Sequence, residues 1–224
     1  MAQPGAGSVH NPTQNTIGHA LLIGLLCLYA LPEILLFLLG LLGGDLPFLR
    51  GKMYQNFAFW AGLLGDWRPN YPGQTIAMFF TYGFVHTGML HLGMNALTLW
   101  GLGRTLLEDV SPRRFIAIYC AGVLGGAVGH AVLTTRPFPM VGASGALFAL
   151  AGAVIWLRTT ERDASEPDPT WRDYIRDLIW PLTALTFINV VMYYALDGGL
   201  AWEAHLGGFV AGMTTMAALP RQNS

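Results

Sequence analysis

The sequence predicts an all-α membrane protein of six spanning helices, with a long interfacial loop after the first. Three observations carry that expectation. Of 224 residues, 53% are hydrophobic and only 11% charged, where a soluble domain carries about 25% charge. Mean hydropathy is +0.45. Six apolar segments reach, or nearly reach, the roughly 20 residues that a spanning helix needs. Net charge is −1, which leaves no general basic surface for nucleic acid. Low-complexity tracts and repeats of fixed period are absent. Cys27 and Cys120 both fall in apolar stretches. They make neither a disulfide framework nor a metal-ligand spacing and read as small core residues.

Taken in order, residues 1–16 form a polar, Gly/Pro-rich tail. It lacks the basic region that opens a signal peptide, so the apolar run after it reads as a spanning helix. That first span covers 17–42, with a kink at Pro32 and Glu33. The connection 43–75 holds Leu46-Pro47-Phe48-Leu49 and Phe57-Ala58-Phe59-Trp60-Ala61. It is too apolar for a solvated loop and too interrupted to span, so it is expected to lie against the bundle as an interfacial or re-entrant element. The remaining spans are 76–102, 115–133, a short one at 142–157, 178–196 and 200–219. The chain thus divides into the tail 1–16, a membrane domain 17–219 and a C-terminal tail 220–224. No seventh span and no large soluble domain is expected.

Cytoplasmic loops are enriched in Lys and Arg. Loops after spans two and four, with the C-terminus, hold Arg104, Arg113, Arg114, Arg158, Arg162, Arg172, Arg176 and Arg221. The opposite loops hold Arg50, Lys52, Arg68 and Arg136. The eight-to-four split puts both termini in the cytoplasm of a multi-pass protein.

Polar side chains within spans are costly and usually functional or internally paired. Of the five serines, Ser8, Ser111, Ser144, Ser165 and Ser224, only Ser144 lies in an apolar segment. His86, His91, His130 and His205 lie at or within spans, as do Asn95 and Asn189. Glu33 is the only acid deep in a span, and Glu203 sits near the edge of another. An intramembrane aspartyl mechanism needs two facing Asp residues, and none are placed for it. His-Glu-x-x-His, the zinc-peptidase helix motif, does not occur. A serine nucleophile with a histidine base remains, as a dyad, because no carboxylate is placed to orient the histidine.

Ser144 stands in Gly142-Ala143-Ser144-Gly145-Ala146. Its flanking glycines permit a sharp turn and a close neighbour, but small residues also serve simply to pack membrane helices. Arg136-Pro137-Phe138-Pro139 cannot continue a helix, and span four is too short for a full crossing. Ser144 should therefore sit at a helix N-terminus inside the membrane, where developing negative charge is favoured. Ala204, Gly208 and Gly212 make a small-residue ridge, and Gly145, Ala149 and Ala153 make another at the same spacing. Two such ridges let backbones approach, and His205, one residue from its ridge, could reach the facing helix. A neutral imidazole there can take a serine proton and return it. It could equally be a hydrogen-bonded bundle histidine or a proton relay. His91 and Asn95 are four apart and share a face. They could donate to a developing oxyanion, or merely tie helices together. His86 lies off that face, suited to supporting a loop or water. A metal site of His86, His91 and His205 is disfavoured without a carboxylate or thiolate, although three histidines can suffice.

In this order and in these spans the motifs resemble the rhomboid family of intramembrane serine proteases. They are His91-x-x-x-Asn95, Gly142-x-Ser144-Gly145 and Ala204-His205-x-x-Gly208-x-x-x-Gly212. The resemblance covers about 73–219 and implies a six-helix bundle with a water-filled cavity opening outward. It implies Ser144 as nucleophile and His205 as general base. The oxyanion hole would be His91, Asn95 and the Ser144 N–H. His86 matches an accessory histidine, and Gly208 and Gly212 match close-packing glycines. Two departures stand out. The family's Trp-Arg before span two aligns here with Ile76-Ala77-Met78, while Trp67-Arg68 comes earlier. Phe148 occupies a position where many members have Tyr, so an aromatic ring can pack on His205 without a phenolic hydroxyl.

The expected activity is serine endopeptidase cleavage of other transmembrane proteins, in or beside their spans. No metal or organic cofactor is required, the lipid bilayer is the solvent, and oligomeric state is not addressed by the sequence. The form is bacterial-type, with the inner membrane as its expected location. Two rivals are a proteolytically silent binder of membrane proteins and a small proton-coupled transporter. Loss of Ser144 or His205 would have marked the first, and both are present.

Overall fold

A computed structural model describes residues 12–160, 169–195 and 199–220. Ser8, Arg162, Ser165, Arg221 and Ser224, with most of the predicted tails, lie outside the described residues. The helices are α1 (Pro12–Leu41), α2 (Leu46–Phe57), α3 (Gln74–Thr81), α4 (Met89–Asp109), α5 (Pro112–Leu133), α6 (Ser144–Thr160), α7 (Trp171–Tyr174), α8 (Trp180–Ala195) and α9 (Trp202–Ala218). A π-helical turn, Ile175–Ile179, joins α7 to α8 in one rod. Among the described residues there is no strand, only a two-residue bridge between Phe59 and Met140. The fold is an all-α membrane bundle. By length and composition alone, Thr13–Leu41, Pro112–Leu133 and Trp171–Tyr194 can cross a membrane, and Ser144–Thr160 is a shorter apolar helix.

The contacts fix the helix directions. Ser144, at the start of α6, meets His205, near the start of α9, so these helices run parallel. Gly129, late in α5, abuts Glu203 and Gly207, early in α9, so α5 is antiparallel to both. His91, in the first turn of α4, lies beside Gly142, and Asn189, late in α8, lies beside His205. Glu33, late in α1, reaches the backbone of His86 through Arg50. The bundle therefore alternates up and down along the chain. Arg104, Arg113, Arg114, Arg158, Arg172 and Arg176 sit at the end away from Ser144.

The predicted second span proves to be two elements. A short helix, α3, and a 3₁₀ turn (Tyr82–Phe84) precede an extended break, and α4 starts only at Met89. Gly88, before it, has φ 154° and ψ −179°, a region almost reserved for glycine. The break is tolerated because neighbours satisfy its backbone. The His86 carbonyl accepts from Arg50 at 2.9 Å and from the Tyr54 hydroxyl at 3.4 Å. The Tyr82 carbonyl accepts from the Gly142 N–H at 2.9 Å.

The loop after α1 does lie against the bundle. Asp45 caps α2 by accepting from the Phe48 N–H at 3.1 Å, with Pro47 in the first turn, both favourable at a helix start. Trp67 covers Gly62 and tilts against Trp60. Pro32 lies within α1, and next to it buried Glu33 holds Arg50 at 2.8 and 2.9 Å. This pair pins α2 to α1. Hydrogen bonding to Glu33 raises the Arg50 pKa above its ordinary value, so the guanidinium stays charged.

The centre is built where backbones touch. A Cβ on Gly208 would collide with the Gly145 carbonyl, and one on Gly212 with the Ala149 backbone. These are the two ridges expected from the four-residue spacing. A third was not anticipated. Gly122 of α5 leaves no room for a side chain against Ala146 and Ala149, and Gly125 and Gly129 leave none against Gly207 and its neighbours. The helices α5, α6 and α9 thus form a tripod held by close backbone contact, the packing mode that serves where lipid offers no hydrophobic drive.

Candidate active site

Ser144 opens α6. The first four N–H groups of a helix have no partner within it, so the Ser144 backbone presents a free donor at the end where negative charge is favoured. Gly142, two residues earlier, has φ 110°, which strongly favours glycine. Space makes the same demand. A Cβ there would lie 2.6 Å from His91 Cε1 and 2.8 Å from His91 Nε2. The sequence Gly-x-Ser is thus explained twice, by a left-handed turn and by the imidazole pressed against it.

Ser144 Oγ lies 2.8 Å from His205 Nε2. The serine is half-buried and the histidine buried. The Phe148 ring stacks on the imidazole, with centroids 4.3 Å apart and planes 7° from parallel. One turn after Ser144, Phe148 restricts the ring to one plane. The other nitrogen, Nδ1, lies 2.6 Å from Asn189 Oδ1. In the sequence Asn189 is an embedded amide with no evident partner. Glu203, two residues from His205, faces away toward His130 of α5 at 3.8 Å.

His91 and Asn95 both face the Gly142 turn. Asn95 is buried, and its Nδ2 has no hydrogen-bond partner among the described residues. Burying an amide donor without a partner costs about 1–3 kcal/mol. The donor lies 3.4 Å from the position a Gly142 Cβ would take. The Thr87 N–H points at His91 Nδ1 at 3.4 Å, with the Thr87 hydroxyl at 3.2 Å. A backbone N–H can only donate, so Nδ1 accepts and Nε2, on the Gly142 side, carries the hydrogen. Two side-chain donors, His91 Nε2 and Asn95 Nδ2, therefore lie against the Gly142 turn, two residues before Ser144.

His86 is wholly buried in the break before α4. Its ring packs edge-on to His91 at 5.2 Å and against Tyr29 at 5.5 Å. Neither ring nitrogen has a hydrogen-bond partner among the described residues. It supports the His91 ring and does not reach Ser144. Among the described residues, no three His, Cys, Asp or Glu side chains gather as a metal-ligand group.

The model of the Rhomboid domain matches residues 73–222. Similar proteins include Rhomboid protease GluP of Bacillus subtilis, 28% identical over 135 residues, which is 60% of this chain and 24% of that protein. RHOMBOID-like protein 4 of Arabidopsis thaliana is 30% identical over 129 residues, covering 58% and 30% of the two chains. Rhomboid protease GlpG of Klebsiella pneumoniae is 28% identical over 137 residues, covering 60% and 45%. The matched region spans between a quarter and a half of the length of these relatives.

Proposed function

The chain belongs to the rhomboid family, and from that premise we propose that it is an intramembrane serine endopeptidase acting on other transmembrane proteins. The observation that carries this is the 2.8 Å contact of Ser144 Oγ with His205 Nε2 at the start of α6. In the reaction, His205 Nε2 takes the Ser144 hydroxyl proton as Oγ attacks the substrate carbonyl carbon. The carbonyl oxygen becomes an oxyanion, held by the Asn95 amide, the His91 Nε2–H and the Ser144 N–H. The tetrahedral intermediate collapses as His205 gives its proton to the departing amine. A water then attacks the acyl-enzyme, with His205 again taking and returning a proton, and frees the carboxylate product.

Ser144→Ala and His205→Ala are each expected to abolish cleavage of a single-span membrane protein reconstituted with the enzyme. A fluorophosphonate probe should label the wild type at Ser144 and leave Ser144→Ala unlabelled. Normal cleavage by either variant would refute the dyad, and absence of cleavage by the wild type would favour a silent binder or a transporter.

An integral membrane location follows from the family and the apolar helices. Six basic residues at the end away from Ser144 support an orientation with that end in the cytoplasm, and hence both termini. The catalytic end would then face outward across a bacterial plasma membrane. Cysteine accessibility at the α4–α5 turn tests this: labelling only after the cytoplasmic side is opened is the expected result.

A further inference from the structure

We propose that Asn189 is a positioning residue for this site: its amide holds His205 in the tautomer that leaves Nε2 open to the Ser144 proton. The inference rests on the reading of Ser144 and His205 as nucleophile and base. It follows from counting protons.

The Leu185 carbonyl can only accept, and Asn189 Nδ2 donates to it at 2.9 Å. That contact fixes which way the amide faces, so Oδ1 is the atom turned to His205. An amide oxygen also only accepts. The ring nitrogen 2.6 Å from it, Nδ1, must therefore carry hydrogen. A neutral imidazole has one N–H, so Nε2 presents its lone pair to Ser144 Oγ, 2.8 Å away. A helix-internal contact four residues long thus decides which nitrogen of His205 is the base.

Other neighbours do not make that choice. Phe148 is stacked on the ring face and fixes its plane, but a face cannot tell one nitrogen from the other. Glu203 is turned to His130. The hydrogen bonds to His205 among the described residues are those to Ser144 and Asn189. The role resembles that of the third member of Cys-His-Asn sites, which orients without adding charge. Within a membrane the uncharged form has an advantage, because a carboxylate at this depth is costly.

The test uses the full chain in lipid, with ring-¹⁵N-labelled histidine, in wild type, Asn189→Leu and Asn189→Asp, each also in a Ser144→Ala background. The His205 Nδ1 resonance should be that of a protonated nitrogen in the wild type and in Asn189→Asp, which keeps an acceptor oxygen. In Asn189→Leu it should shift toward the other tautomer. Asn189→Leu should lower kcat about 10- to 100-fold, the usual loss for such a supporting contact, with KM within about twofold of wild type. Asn189→Asp should recover most of that loss. Wild-type kcat in Asn189→Leu, or a wild-type His205 protonated on Nε2 alone, would overturn the proposal. The resonance measured in the Ser144→Ala background does not depend on hydrolysis. Cleavage by Ser144→Ala would therefore sink the reading of Ser144 as nucleophile while leaving the tautomer result to be judged by itself.

Discussion

The tripod of α5, α6 and α9 and the rod formed by α7 and α8 are built on opposite plans. In α6, ten of seventeen residues are buried, and most are Gly, Ala or Leu. The span Trp171–Tyr194 buries none and shows Phe187, Ile188, Val190, Val191 and Tyr194 to its surroundings. A cavity of about 470 Å³ beside it is lined in part by Leu102, Val154 and Ile155 on one side and Leu185 on the other. Ser144 and His205 come from the tripod. Asn189 comes from the rod. The contrast teaches that two kinds of packing meet at one imidazole, with the serine contact fixed by touching backbones and the amide contact carried by a helix that buries no residue and is tied nearby through Arg136 and Tyr193, 2.6 Å apart.

Substitutions can break or sharpen this contrast. The largest effect is expected at the tripod. Gly208→Leu drives a side chain into the Gly145 backbone, which cannot yield as a flexible side chain would. Overpacking costs about 1–3 kcal/mol and sometimes more. Loss of folded, detergent-stable protein and of cleavage together is the expected outcome, read by thermal unfolding and by assay. Next comes Asn95→Ala, which removes one oxyanion donor from the face of α4. It should lower kcat about 10²–10³-fold while leaving thermal stability unchanged or improved, because the buried amide lacks a partner. A drop in stability without a drop in kcat would make Asn95 a bundle residue only.

Phe148→Leu should act more mildly. A stacked aromatic pair contributes about 0.5–1.5 kcal/mol beyond its buried area, so kcat should fall by several-fold. Steady-state kinetics would read it, and an unchanged kcat would mean that the Asn189 and Ser144 contacts suffice to hold the ring. The smallest effect is expected on the rod. Phe187→Ala, exposed on α8, should change unfolding by no more than about 0.5 kcal/mol. A large loss would show that α8 is bound to the bundle more firmly than its burial indicates.

The contrast also sorts what was legible in the sequence. The ridge pair was readable because a helix repeats small residues every four positions, so Gly208 and Gly212 face one way whatever the fold. Ser144 at a helix start was readable from the proline-rich stretch before it and the short apolar run after it. The break before α4 was not, since hydropathy stays high from Ile76 to Leu102 and does not register a backbone satisfied by neighbours such as Arg50. Arg50 itself reads only as a loop charge, and Glu33 only as an acid beside Pro32, because an ion pair joining residues 17 apart leaves no local pattern. Asn189 stood out as an embedded amide. Its partner depended on which helices face each other, and periodicity within one helix carries no such information.

The close contact between α6 and α9 has one more consequence. Where two backbones touch, the interval between them is a property of the peptide chain and not of any side chain. The spacing between Ser144 and His205 is therefore gauged by glycine contacts such as Gly208 on Gly145 and Gly212 on Ala149, and the outward positions of both helices are free to drift. A lineage could replace nearly all its lipid-facing residues, adapt to membranes of different composition, and still inherit the same reach between hydroxyl and imidazole.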